Sequence, residues 1–124
     1  MSRKFMIVGA TAGAISVALG ALGAHTLQDL LTPDRLDIYH TGVRYLMVHS
    51  VILFITGRMA RREDHRILHF AGGAFILGML LFSGSLLILS LANVPLMGAV
   101  APIGGLAYIV GWMLLAWAAY KSQV

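Results

Sequence analysis

The chain has 124 residues, 59% of them hydrophobic and 11% charged, with a mean hydropathy of +0.85. A soluble domain carries about 25% charged residues, so this composition excludes an ordinary water-soluble fold and points to one integral membrane domain spanning residues 1–124. There is no cysteine, which rules out disulfides, thiolate metal sites and cysteine nucleophiles. The net charge of +4 lies between apolar segments rather than in a groove with stacking aromatics, so no nucleic-acid partner is expected.

Four apolar segments follow in order, at about residues 5–22, 41–57, 68–91 and 100–120. The fold class expected from them is an all-α integral membrane bundle of four transmembrane helices. The first begins behind Arg3 and Lys4, and at about 18 residues it is long enough to span rather than serve as a cleaved signal. Gly9, Gly13, Ser16 and Gly20 share one of its faces. Such a small-residue stripe lets another helix approach closely.

Residues 23–40 are the longest polar stretch and contain His25, Asp29, Asp34, Arg35, Asp37 and His40. Thr32-Pro33-Asp34 has the form of a helix start, with Thr32 as N-cap and Pro33 at the first helical position. A short interfacial helix is expected from about Pro33, running into or kinking toward the second span.

The second span carries Arg44, Tyr45 and His49, and ionisable groups inside a membrane span are expensive. Thr41, Tyr45, His49 and Thr56 line one helical face, whereas Arg44 points about 140° away from His49. Residues 58–69 are read as a basic connection, with Arg58, Arg61, Arg62 and Arg66 against Glu63 and Asp64. The third span contains Phe82-Ser83-Gly84-Ser85, which reads either as a broken helix lining a cavity or as a close helix contact with serines bonded to backbone. In the fourth, Gly104, Ala107, Gly111 and Ala118 form a second small stripe, and Trp117 and Tyr120 mark an interfacial belt.

Two basic residues precede the first span, four lie between the second and third, and one follows the fourth. The positive-inside rule then places both termini and the connection carrying Arg58 to Arg66 on the cytoplasmic side. Counting at about 1.5 Å per residue puts His49 about 12 Å inside the span. Gly13, Gly78 and Gly111 fall near that level, and Gly20, Ser83, Ser85 and Gly104 fall level with Arg44 and Tyr45. This places the second span inside the bundle, with His49 in a glycine-lined niche.

Several ordered motifs carry a resemblance across nearly the whole chain. They are Gly20-Ala21-Leu22-Gly23-Ala24-His25-Thr26-Leu27, Tyr45-x-x-x-His49, Phe82-Ser83-Gly84-Ser85-Leu86, Pro102-Ile103-Gly104-Gly105 and Gly111-Trp112. Together they resemble the domain-of-unknown-function 423 family, YgdD-like small bacterial inner-membrane proteins with a eukaryotic relative called transmembrane protein 256. The resemblance implies four membrane helices and no established activity. It marks His25, Tyr45, His49, Ser83, Ser85 and Gly104 as positions to test; Arg44 departs from the pattern, where an uncharged polar residue is expected.

No cofactor or metal is expected. Haem needs a second axial ligand or an open site, and His25, His40 and His69 lie at the wrong depth to pair with His49. His25, Asp29, Asp37 and His40 have no zinc-ligand spacing. No nucleophile triad or carboxylate pair lies in the spans, so the chain is read as a non-enzyme. The expected role is an accessory, scaffold or assembly component acting through the small-residue faces of spans one and four. Its partners would be the lipid bilayer and a membrane protein. The alternative is a homo-oligomeric carrier or channel for a small solute or proton, using Thr41, Tyr45, His49, Ser83 and Ser85. Arg44 is read as snorkelling to the interface near Asp37.

Overall fold

The structure, a computed structural model, describes residues 2–63 and 66–122. Every regular element among them is helical: α1 (Ser2–His25), a 3-10 turn (Leu27–Asp29), α2 (Pro33–Arg62), α3 (Arg66–Gly78), a π-helical turn (Met79–Ser83), α4 (Gly84–Ala92) and α5 (Met97–Lys121). With α3, the π turn and α4 taken as one rod, four helices are long and apolar enough to cross a membrane.

Local chemistry sets the helix ends. The Thr32 side chain accepts a hydrogen bond from the Arg35 backbone N–H at 3.3 Å, and Pro33 follows at the first helical position. The helix that starts there does not stop before the span. It runs unbroken for 30 residues, about 45 Å, so the expected interfacial helix is the N-terminal end of α2. The expected basic connection is also mostly helical: Arg58, Arg61 and Arg62 ride the end of α2, and Arg66 opens α3. Asp64, expected as a counter-charge there, lies outside the described residues. At the other end of the bundle, Asn93 takes a left-handed conformation (φ 55°) and closes α4, a role that asparagine's short side chain tolerates.

The distribution of side chains is that of a protein dissolved in lipid. The surface carries large apolar groups such as Val17, Leu80, Leu106 and Met113, while Ser16, His49, Ser50, Thr56, Ser83, Ser85 and Ser90 are buried. Lipid supplies no hydrophobic drive between helices, so close packing and hydrogen bonds hold them together. α1 and α2 are antiparallel with backbones nearly touching. A Cβ on Gly9 would lie 2.7 Å from the Phe54 nitrogen, and one on Gly57 would lie 2.7 Å from the Ser2 carbonyl oxygen. Farther along, Gly20 faces Val43, Gly23 makes room for the Tyr39 ring, and the Tyr39 hydroxyl donates to the Leu19 carbonyl.

α5 packs on α3 in the same way. Gly104 sits against the Leu81–Phe82 backbone, Gly78 beneath the Tyr108 ring, and Gly111 beneath Phe75, where a Cβ would come within 2.6 Å. Both glycine stripes therefore seat this chain's own helices, which corrects the expectation that they chiefly serve a partner; on α1 the closure is partial, and a groove of about 260 Å³ runs beside Gly9, Gly13, Ser50 and Phe54.

The Ser83–Ser85 region is not a broken helix. It is a continuous rod with one widened turn. That turn absorbs one residue, worth about 100° of rotation. It lets Phe75 and Gly78 face α5 while Ser83 beyond it still turns inward.

Candidate functional site

The polar centre of the bundle is built where α2, the α3–α4 rod and α5 converge. His49, 4% exposed, lies near mid-length of α2. Its ring stacks on Tyr108 with centroids 3.6 Å apart and planes 13° apart. Phe75 and Trp112 stand at 5.8 Å and 5.9 Å, and the Tyr45 ring, one turn up α2, lies parallel at 6.0 Å. Phe82 closes the side toward the N-terminal end of α2, 4.8 Å from Tyr45 and 5.6 Å from Tyr108. The niche around His49 is therefore aromatic. The glycines stand one layer behind, where Gly78 and Gly111 are the notches that seat Tyr108 and Phe75.

Both imidazole nitrogens are engaged. The Trp112 indole N–H donates to Nε2 at 3.0 Å, and Nδ1 lies 2.7 Å from the Tyr45 carbonyl oxygen. Indole nitrogen only donates, so Nε2 accepts and Nδ1 must carry the proton that it gives to the carbonyl. This is one neutral tautomer with its lone pair already occupied. Ligating a metal or haem, or taking up a proton, requires breaking the Trp112 bond first.

The neighbouring hydroxyls are closed in the same manner. Ser83 Oγ and Tyr108 OH are 2.8 Å apart within the core, linking the α3–α4 rod to α5. Thr41, Ser50 and Thr56 donate to the carbonyls of Asp37, Met47 and Ile52 at 3.0, 2.6 and 2.7 Å. Such bonds satisfy hydroxyls within their own helix.

Of the residues marked in the sequence, Tyr45, His49 and Ser83 come together around Tyr108, and Ser85 is buried just beyond Ser83. His25 ends α1, exposed, and Arg44 points outward from α2, so neither joins the cluster. Among the described residues no three histidine, aspartate or glutamate side chains converge as metal ligands.

Sequence reasoning missed Tyr108 and the role of Trp112. The signal was present: Tyr108-x-x-x-Trp112 on α5 repeats the spacing of Tyr45-x-x-x-His49 on α2, putting two rings on one face of each helix. Arg35 was also missed. Its guanidinium donates to the carbonyls of Ser90 and Leu91 at 2.9 and 3.2 Å, capping the C-terminus of α4 across the bundle.

The description "Protein of unknown function (DUF423)" matches residues 19–105 of this chain. The chain belongs to the DUF423 family. A Bacillus subtilis (strain 168) protein described as UPF0382 membrane protein YwdK is 39% identical over 120 residues, covering 96% of this chain and 98% of that one. A UPF0382 membrane protein of Staphylococcus haemolyticus is 38% identical over 119 residues, covering 96% and 97%. One from Haemophilus influenzae is 33% identical over 123 residues, covering 99% and 98%. No solved structure matches the chain. The matched region of this DUF423 protein contains Tyr45, His49, Phe75, Phe82 and Ser83, and Tyr108 and Trp112 lie just past its end. The relatives are bacterial membrane proteins, and a lipid bilayer is the environment that the four apolar helices require.

Proposed function

We propose that this DUF423 protein is a non-enzymatic accessory or assembly component of the bacterial inner membrane, with both chain termini and the α2–α3 connection on the cytoplasmic side. The observation that carries this reading is the closed state of the polar centre. His49 bonds Trp112 across to α5 and the Tyr45 carbonyl within α2, Ser83 bonds Tyr108 across to α5, and aromatic rings fill the space where a solute path along α2 would run. His49 is then a clasp, and Gly9, Gly13, Gly20, Gly78, Gly104 and Gly111 are packing positions.

The surface left for a partner is the outer face of α1. This helix packs mainly on α2, and only 22% of its most apolar window is buried, the lowest share of the four. Ile15 and Val17 lie on its exposed side. The orientation is supported by Arg3, Lys4, Arg58, Arg61, Arg62, Arg66 and Lys121 gathering at one end.

The test is photo-crosslinking in cells from position 15 or 17, followed by purification. A membrane protein captured in stoichiometric yield is the expected result. A homo-oligomer that conducts protons or a small solute in proteoliposomes, with flux abolished by His49→Phe, supports the carrier reading and overturns this one.

A further inference from the structure

The basic end of the bundle holds two adjoining cavities around the last turns of α5. One, of about 410 Å³, is lined by Met59, Arg62, Glu63, Leu68, Ala118 and neighbours. The other, also about 410 Å³, is lined by Arg66, Ile67, Ala118 and Lys121. Ala118 forms a wall of both, and beneath them Ala60, Leu68 and Ala118 make a buried apolar floor continued by Ile67 and Leu115.

The second cavity has a definite polarity. Among the described residues its charged lining side chains are both cations, Arg66 and Lys121, and both are exposed. Lys121 extends over the Trp117 ring, with its nitrogen 5.4 Å from the ring centroid, which holds the ammonium beside the cavity mouth. Arg66 is also the first residue of α3, and the dipole of a helix N-terminus favours an anion. The first cavity differs, because Glu63 lines it and accepts from the Ser122 hydroxyl at 3.4 Å. Its carboxylate disfavours a second anion.

We infer that the cavity between Arg66 and Lys121 seats the phosphate of an anionic phospholipid of the adjacent leaflet, with an acyl chain lying along the Ile67–Ala118 floor. Charge complementarity selects the anion. The apolar floor, running from the cation level toward the bilayer interior, selects an amphiphile over a soluble phosphate. A zwitterionic lipid brings an added cation to the same place and fits less well. A cation that touches the seated phosphate contributes about 1 kcal/mol, or about fivefold in binding, whereas in detergent, away from a charged membrane surface, a cation outside the cavity contributes little.

The full-length protein, purified and delipidated in mild detergent, is given equal amounts of phosphatidylglycerol and phosphatidylcholine with identical acyl chains. Native mass spectrometry then counts retained lipid. The wild type should retain phosphatidylglycerol preferentially, and Arg66→Gln should lower that preference about fivefold while leaving the Lys121–Trp117 contact in place. Arg58→Gln removes the same charge from an exposed position on α2 outside both cavities and should change the preference little. Equal losses in the two variants mean diffuse surface attraction and overturn the site, as does equal retention of the two lipids by the wild type. Complete displacement of the lipid by millimolar inorganic phosphate identifies a soluble-anion site and overturns the lipid assignment.

Discussion

Replacing His49 by phenylalanine keeps a ring on the Tyr108 stack but removes the acceptor of the Trp112 indole and the donor to the Tyr45 carbonyl. Trp112 is 42% exposed on the lipid-facing side of α5 near mid-helix, and lipid offers the orphaned indole no acceptor. Hydrogen bonds between membrane helices measure about 0.6 kcal/mol on average and up to about 1.7 kcal/mol. His49→Phe is expected to destabilise the bundle by about 1–2 kcal/mol, allowing for the unsatisfied indole and a small packing change. The informative quantity is the coupling with Trp112→Phe. In a double-mutant cycle, measured by reversible unfolding in bicelles, the two substitutions should couple by about 0.6–1.7 kcal/mol. Coupling below about 0.3 kcal/mol, the scatter expected for independent sites, would refute the clasp.

Gly9→Leu places side-chain carbon against the Phe54 and Ser50 backbones, so α1 should separate from α2, with a stability loss of about 1–3 kcal/mol read in the same unfolding assay. Gly73 has no heavy atom within 4 Å of an added Cβ, so Gly73→Ala should be neutral or stabilising by up to about 1 kcal/mol. Tyr108→Phe removes one bond to Ser83 and keeps the ring; the loss should be about 1 kcal/mol, with no further loss when Ser83→Ala is added. Arg35→Ala withdraws the cation from the end of α4 and should speed hydrogen exchange of the residue 90–92 amides before global stability changes, by about 0.3–1 kcal/mol locally.

Much of the architecture is legible in the amino-acid sequence. Hydropathy and charge placement gave four spans, because a membrane demands long apolar helices and leaves few alternatives. Counting residues set Gly78 and Gly111 level with His49, and both stand behind the rings that enclose it. What counting along one helix does not give is rotation between helices. Tyr108 and Trp112 meet His49 only because α5 turns that face to the site, and the widened turn at Met79–Ser83 shifts the α3–α4 rod by an amount no periodicity announces. Arg35 illustrates a second blind spot. Its partners, Ser90 and Leu91, are more than fifty residues away and are carbonyls, which every residue possesses.

The central claim is that His49 is a closed helix clasp rather than an open polar site. Nitrogen-15 NMR of the imidazole in bilayers tests it directly. The account requires a neutral ring protonated at Nδ1, with Nε2 hydrogen-bonded to the Trp112 indole and an Nδ1 proton protected from exchange with water. A ring protonated at Nε2, or an Nδ1 proton that exchanges freely, would contradict it.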